Sequence, residues 1–160
     1  MNKLYFTHPE NVKKLSNELD EWIGTPYRHY CCVKKRGVDC ALFLGKVFFN
    51  LAILCKLDYT YYSRDWHKHN NTNIFLNNFE QNIKNNLAND LKISRVECDI
   101  MPLEAGDWLM YSTNSKLINH SALYLGDGKI IHAIQRRGVI VDKLKTWKPF
   151  LKRTYRLYYV

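Results

Sequence analysis

The amino-acid sequence predicts an α+β fold, because its hydrophobic period changes near the middle of the chain. In the first half, apolar side chains recur at the spacing of amphipathic helices. After the segment "PLEAGD" they alternate with polar side chains, which is the spacing of β-strands. Helices followed by an antiparallel sheet make up the α+β class. We therefore predict N-terminal helices, including a central helix that starts at Cys40, packed on a C-terminal antiparallel β-sheet.

The first helix is predicted over residues 7–22. The segment "THPE" combines a Thr that can cap the helix with a Glu three residues later and a Pro in the first turn. Val12, Leu15 and Leu19 share one apolar stripe, and Gly24 ends the pattern.

Two further helices are predicted after an intervening turn. Asp39 is a natural N-cap for a helix over residues 40–56, which is apolar nearly all round and is therefore expected to be central. Residues 72–89 are rich in Asn, but an apolar stripe at helical spacing still predicts an amphipathic helix. The stripe consists of Leu76, Phe79, Ile83 and Leu87.

The second half of the chain predicts five strands joined at hairpin distances. They cover residues 108–112, 121–125, 129–134, 138–142 and 155–160. Neither an internal repeat nor an interdomain linker interrupts the sequence, so we predict a single domain over residues 1–160.

The composition is typical of a globular protein, with 46% hydrophobic and 24% charged residues. A net charge of +9 favours polyanionic partners such as nucleic acid, anionic lipid or an acidic cell-wall polymer. No apolar run is long enough to span a membrane, and the N-terminus lacks the apolar core of a signal peptide. We therefore predict neither a membrane span nor a signal peptide.

The chain has five cysteines, an odd number, so at least one must be free or pair between chains. His29, Cys31, Cys32 and Cys40 could be imagined as zinc ligands, but their spacing matches no standard zinc pattern. We therefore predict reduced thiols, no metal and no cofactor.

Cys40 is the candidate nucleophile, because it lies at the predicted start of the central helix. Unpaired N–H groups and the helix dipole favour an anion there and can lower the pKa of a thiol toward neutrality. The same N–H groups could stabilise an oxyanion beside the sulfur. Such a thiol still needs a base. The alternative is an ordinary cysteine of the core.

The segment "NHSALYLGDGKIIHA" offers His120 and His132 as that base and its partner. A two-residue turn would place the two histidines on opposite faces of the hairpin, whereas a three-residue Gly-Asp-Gly loop places them on one face. We favour the three-residue loop, which pairs Ala122 with His132, because a proton shuttle needs a partner to hold its ring. Ala122 would then let the Cys40 helix approach. The alternative is a pair of structural histidines.

Four segments resemble the NlpC-type cell-wall cysteine peptidases, a papain-like, circularly permuted family. They are "GTPYRHY", "GVDCALFL", "LEAGDWLMY" and "NHSALYLGDGKIIHA", in the family's order over residues 22–141. The chain looks most like the branch found in phage tails and gene-transfer particles.

The resemblance implies that Cys40 is the nucleophile, that His120 is the general base and that His132 orients it. It also implies two substrate-binding residues: Tyr27, which lies beside the cysteine and helps to bind or polarise the scissile carbonyl, and Asp39, which faces the amine-bearing end of the substrate. The implied substrate is the stem peptide of the bacterial cell wall, cut between D-glutamate and a diamino acid.

The sequence departs from the family pattern in two places. Ala41-Leu42 follows the cysteine where the family usually has Ser-Gly, which puts the substrate specificity in doubt. The connector over residues 59–89 is longer than in minimal members, and we expect it to form a lid or a docking surface.

Alternative functions remain open at this point. Papain-like permuted folds also serve as thiol acyltransferases or thioesterases, and a tail or assembly component could retain the fold without activity. A basic nucleic-acid module is disfavoured, because most aromatic residues fit helix or strand patterns as core. We expect synthesis in the bacterial cytoplasm and carriage on a phage tail or similar particle, with particle proteins as partners.

Overall fold

A computed structural model of the protein describes residues 2–97 and 99–160, so the predicted free thiol of Cys98 lies outside the described residues. Within these residues the α-helices are α1 (Pro9–Trp22), α2 (Phe43–Asn50), α3 (Trp66–His69), α4 (Ile74–Asn86) and α5 (Leu144–Trp147). Short 3-10 turns cover Tyr5–Thr7 and Lys148–Phe150.

The strands are β1 (Cys32–Val33), β2 (Gly37–Val38), β3 (Leu91–Val96), β4 (Trp108–Tyr111), β5 (His120–Gly126), β6 (Lys129–Ile134), β7 (Gly138–Lys143) and β8 (Leu151–Tyr159). The first two form a small hairpin, and the other six form an antiparallel sheet in the order β3-β8-β4-β5-β6-β7. The predicted α+β fold, with N-terminal helices packed on a C-terminal antiparallel sheet, is confirmed.

The predicted Thr cap of the first helix is wrong. Thr7 belongs to the preceding 3-10 turn, where its hydroxyl donates to the Leu4 carbonyl at 2.9 Å. Helix α1 instead begins at Pro9, whose fixed φ suits the first helical position. The predicted apolar stripe is buried at Leu15 and Leu19, whereas Val12, which was predicted to share it, is exposed.

Helix α2 is shorter at both ends than predicted. The predicted N-cap is wrong, because the helix begins at Phe43 with Leu42 at the N-cap position. Asp39 instead closes the preceding turn of residues 40–42, where its Oδ1 accepts from the Leu42 N–H at 2.9 Å. Beyond Asn50 the chain reverses at Ala52, which has a φ of 58° in the left-handed region.

Strand β3 was not predicted, and β8 begins earlier than expected. Only the two ends of β3, Leu91 and Val96, are buried, so the strand lacks a regular alternation of apolar and polar side chains. It is recognisable through its pairing with β8 along its whole length, from Leu91 opposite Tyr159 to Val96 opposite Thr154.

The two faces of the sheet have different covers. Helices α1, α2 and α4 pack on the face that carries Leu123 and Ile131, whereas Ala122 and Ile130 belong to a separate cluster on the other face. Leu144 and Trp147 of α5, together with Leu151 at the start of β8, pack against that second cluster. The expectation that Ala122 faces the Cys40 helix is therefore wrong.

The β5–β6 hairpin combines the two registers considered from the sequence. Asp127 and Gly128 form a two-residue turn with φ values of 52° and 70°, so the predicted three-residue loop is wrong. A register shift between Tyr124 and Gly126 then pairs Tyr124 with Ile130, which restores the predicted register in the body of the strands. The two histidines consequently share one face.

No helix in the described part of the chain is long and apolar enough to cross a membrane.

Candidate active site

A cleft of about 560 Å³ opens where the turn before α2 meets the start of β5. Cys40 and His120 both line it, together with Tyr27 and Trp147. Residues 62–68 of the connector form another part of its wall. The cleft therefore gathers residues from the helical half and from the sheet half of the chain.

Cys40 is half-buried and held by polar contacts on several sides. Its Sγ lies 3.6 Å from the carbonyl oxygen of Asn119, to which the thiol donates, and 3.8 Å from the Tyr27 hydroxyl. The Cys40 carbonyl in turn accepts from the Ser121 hydroxyl at 3.3 Å. These contacts anchor the Cys40 turn directly to β5 and to the chain just before it.

The Cys40 thiol is neutral in the free protein, contrary to the expectation of a thiolate near neutral pH. Burial, and then the neighbouring Asp39 carboxylate, raises the pKa of Cys40 to about 12, and the hydrogen bond with Tyr27 only partly opposes this. Moreover, α2 begins three residues after Cys40, which weakens the stabilising effect of the helix end on a thiolate. A base must therefore remove the thiol proton during any reaction.

His120 and His132 form a buried, hydrogen-bonded pair. The distance from His120 Nε2 to His132 Nδ1 is 2.8 Å, which confirms the predicted common face. Burial, followed by repulsion from His132, lowers the pKa of His120 to about 3. Burial also lowers the pKa of His132. Both imidazoles are therefore neutral at neutral pH.

The thiol and the imidazole face the same cleft without being bonded to each other. Within residues 2–97 and 99–160, no hydrogen bond joins Cys40 Sγ to His120. Long nucleophile–base distances are common in proteins without substrate, and they shorten when the substrate binds.

The Asp39 carboxylate is buried and bonded within the protein on both oxygens. Oδ1 accepts from Leu42 N–H, and Oδ2 accepts from the Tyr30 N–H at 2.8 Å and the Tyr62 hydroxyl at 2.7 Å. Tyr30 has a φ of 51°, a strained value that directs its N–H to this carboxylate. Asp39 thereby holds the Cys40 turn, while the substrate contact implied by the resemblance stays a prediction.

Tyr27 reaches the cleft from a bridge that pairs it with Val38. Burial raises the pKa of its hydroxyl above the ordinary value, and so do the negative charge that Cys40 carries once it is ionised and the charge of Asp39. The hydroxyl therefore remains a neutral donor beside the sulfur.

Sequence analysis missed two residues that contact the histidine pair. The Asp142 Oδ2 lies 3.2 Å from His132 Nε2 and accepts from the Trp147 indole N–H at 3.1 Å. The Trp147 ring lies 5.2 Å from His120 and 4.8 Å from His132 between centroids. Pairing of the predicted β6 and β7 could have revealed Asp142, because Asp142 lies opposite Ile130 on the face that carries His132. No comparable pattern in the sequence indicates that Trp147 lies beside the histidines.

The connector after Tyr59 forms one wall of the cleft. Tyr62 and Trp66 are buried and fix this wall to the core, while His67 lines the cleft. His69 instead bonds Asp65 at 3.0 Å on the exposed side of α3. Among the residues that the structure describes, no group of three His, Cys, Asp or Glu side chains could hold a metal.

Comparison with known proteins identifies similar sequences and folds. A sequence profile described as the NlpC/P60 family matches residues 24–156. A Haemophilus influenzae protein, named as a probable endopeptidase NlpC homolog, is 24% identical over 143 residues. That alignment covers 89% of this chain and 59% of the relative, so the chain spans less than two thirds of the relative's length.

Solved structures share the fold at low sequence identity. The NlpC/p60 domain of the peptidoglycan hydrolase SagA has a TM-score of 0.54 and 19% identity, over 89% of this chain and 95% of that domain. NlpC2 from Trichomonas vaginalis has a TM-score of 0.58 and 16% identity, over 90% of this chain and 46% of that protein.

Proposed function

The chain belongs to the NlpC/P60 family, and from that premise we propose that it is a cysteine peptidase that hydrolyses stem peptides of the bacterial cell wall. The observation that carries the proposal is the cleft itself. Its lining includes Cys40 and His120, with Tyr27 beside the sulfur, and the buried His132 is hydrogen-bonded to His120.

In the first chemical step, His120 takes the proton of the Cys40 thiol as Sγ attacks the carbonyl carbon of the scissile amide. The thiol has a pKa of about 12, so proton transfer accompanies the attack instead of preceding it. His120 then gives the proton to the departing amine, which leaves a thioester on Cys40. Water activated by His120 hydrolyses this thioester and restores the free thiol.

Tyr27 stabilises the oxyanion that forms on the substrate carbonyl. Its hydroxyl lies 3.8 Å from Sγ, which is close enough to reach an oxygen on a carbon bonded to that sulfur. Because burial keeps the hydroxyl protonated, it can donate a hydrogen bond throughout the reaction. His132 holds the His120 ring during both proton transfers.

We propose the amide between D-glutamate and a diamino acid as the bond that is cut, as the family resemblance implies. The names of two similar proteins support a wall substrate, since one is a probable endopeptidase and the other a peptidoglycan hydrolase. The net charge of +9 suits an anionic wall. We further propose delivery on a phage tail or phage-like particle after synthesis in the cytoplasm, with particle proteins as partners and no specific nucleic acid.

A catalytically silent assembly component is the second candidate. The observation that favours it is the resting thiol, which is neutral and donates to the Asn119 carbonyl instead of to an imidazole. The two candidates differ in one measurable property, which is turnover of a wall peptide.

The test is digestion of purified disaccharide-tetrapeptide and tetrapeptide wall fragments, followed by mass spectrometry of the products. We expect wild type and Cys55→Ala, which removes an exposed thiol, to release a fragment with a new amino terminus on the diamino acid. Cys40→Ala should fold normally and release nothing. Turnover by Cys40→Ala would remove the assigned nucleophile, and no turnover by folded wild type would favour the silent component.

A further inference from the structure

We infer that Asp142 sets the tautomers of both histidines and leaves Nδ1 of His120 as the unprotonated nitrogen available to the cleft. Asp142 is then a positioning residue that acts on the base through His132. Its consequence for catalysis rests on the proposed function, whereas the assignment of protons does not.

Both oxygens of the Asp142 carboxylate take part in hydrogen bonds. Oδ1 accepts from the Lys143 N–H at 2.8 Å, and Oδ2 accepts from the Trp147 indole N–H. Burial opposes ionisation, but these bonds and the one with His132 lower the pKa of Asp142 below its ordinary value. An ionised carboxylate only accepts hydrogen bonds. The nitrogen of His132 that faces it, Nε2 at 3.2 Å, must therefore carry a hydrogen.

The tautomer of His132 then determines that of His120. A neutral imidazole has one N–H, so Nδ1 of His132 is a lone pair and can only accept. It lies 2.8 Å from Nε2 of His120, which must therefore carry the hydrogen of that bond. The remaining nitrogen, His120 Nδ1, is unprotonated and has no hydrogen-bond partner in the described part of the chain.

The surroundings keep the pair neutral before reaction. The guanidinium of Arg137 also acts on the pair: its Nη1 lies 3.8 Å from Asp142 Oδ2, and its positive charge lowers the pKa of His132. The neutral side chains of Tyr111 and Trp147 pack against the rings. Asp142 therefore supplies a negative charge beside this pair of imidazoles.

The hydrogen bonds from His120 through His132 to Asp142 provide a path for the proton of the Cys40 thiol. The Cys40 S–H bond breaks and an N–H bond forms at His120 Nδ1. The proton on His120 Nε2 can then pass to His132 Nδ1, which leaves His120 neutral and His132 positively charged. That charge lies beside the Asp142 carboxylate, where it is most stabilised. A histidine pair without this carboxylate would have to hold the charge in a buried, apolar setting.

The first test needs no substrate. Nitrogen-15 NMR of the intact protein with labelled histidine distinguishes the tautomers, and single histidine substitutions assign the signals. At pH 7 we expect both His120 and His132 to be neutral with hydrogen on Nε2. Hydrogen on Nδ1 of His120, or a charged ring at either position, would overturn the inference.

The second test uses Asp142→Ala, with Asp142→Glu as the conservative variant and the exposed Asp20→Ala as the control. Asp142→Ala should mix the two tautomers, lower kcat by about 100-fold and leave KM unchanged. The acidic limb of its pH profile should move to lower pH, because an imidazolium without Asp142 has a lower pKa. A drop in kcat with an unmoved pH profile and unmixed tautomers would mean that Asp142 is only structural.

Rescue completes the test. Asp142→Glu should restore the wild-type tautomers and part of kcat, whereas Asp20→Ala should match wild type in both. Should wild type show the expected tautomers but cut no wall fragment, the proton assignment would stand and the proposed function would fail. If Asp142→Ala does not fold, the wild-type spectrum and Asp142→Glu still decide the question.

Discussion

Two carboxylates, Asp39 and Asp142, hold the reacting groups, and they affect those groups in opposite ways. Asp39 is 1% exposed and holds the Cys40 turn through backbone N–H groups and the Tyr62 hydroxyl. Asp142 is partly exposed and holds His132 together with the Trp147 indole. The charge of Asp39 disfavours a thiolate, whereas that of Asp142 favours an imidazolium.

The difference shows how geometry and charge can conflict within one site. The bonds that position Cys40 use a negative charge that raises the energy of the Cys40 thiolate. The negative charge of Asp142 offsets this cost only after the thiol proton has moved to the histidine pair. The Cys40 thiol and the two imidazoles are therefore neutral at rest, and an ion pair between the sulfur and the histidines forms only during the reaction.

The largest expected effect concerns the reactivity of Cys40. With a pKa of about 12 in place of the ordinary 9.0, its thiolate population at pH 7 is lower by about 1000-fold. Brief iodoacetamide treatment at pH 7, followed by peptide mapping, should label the exposed Cys55 and leave Cys40 nearly unlabelled. Rapid labelling of Cys40 would show that the thiol is ionised. It would contradict the conclusion that burial beside Asp39 disfavours the thiolate.

A matched variant sharpens this experiment. Asp39→Asn removes the negative charge and keeps the shape, so the pKa of Cys40 should fall and its alkylation should accelerate. Asp20→Asn, far from the thiol on the exposed face of α1, should leave the alkylation rate unchanged.

The second effect is on folding stability. Asp39→Ala leaves the N–H groups of Tyr30 and Leu42 and the Tyr62 hydroxyl without their acceptor. We expect the free energy of unfolding to fall by about 3 kcal/mol, measured by urea denaturation. Asp142→Ala should cost less, because Asp142 is partly exposed and water can replace it. Equal losses of unfolding free energy for Asp39→Ala and Asp142→Ala would contradict the expectation that the buried carboxylate contributes more to stability.

The third effect is the loss of stability in acid. His120 takes up a proton near its ordinary pKa of 6.5 when unfolded, but only near pH 3 when folded. The unfolded state therefore binds more protons as the pH falls below about 6.5, and stability declines. Between pH 7 and pH 5 we expect His120 to account for a loss of about 2 kcal/mol.

His120→Gln tests this pH dependence, since glutamine does not titrate. Urea denaturation at pH 7 and pH 5 should show a smaller loss for the variant than for wild type. An identical loss in both proteins would mean that His120 is not held neutral by its burial.

The smallest effect is expected at Arg137. Its guanidinium is exposed and lies 3.8 Å from Asp142, a geometry in which surface ion pairs contribute about 0.5 kcal/mol or less. Arg137→Ala should change the free energy of unfolding by no more than this and kcat by less than about twofold. A large loss of activity would assign Arg137 a direct part in holding Asp142.

Local sequence patterns predicted much of the scaffold, and their failures have physical causes. The stripe of α1 and the strands β4 to β7 follow from hydrophobic periodicity. The end of α2 was missed because the reversal at Ala52 uses a left-handed conformation that its residue type does not announce. Strand β3 was missed because its pairing with β8 defines it more clearly than its own alternation does.

The sequence by itself determined the stripe of α1 and the strands β4 to β7, and it offered the register that places His120 and His132 on one face, because side-chain alternation is a local property. The protonation of the site was decided only by the tertiary structure. Burial beside Asp39 keeps Cys40 neutral, and Asp142 and Trp147 reach the histidines through sheet pairing and the α5 turn. A pKa depends on solvent exclusion and on charges brought near in space, and neither can be derived from the neighbours of a residue along the chain.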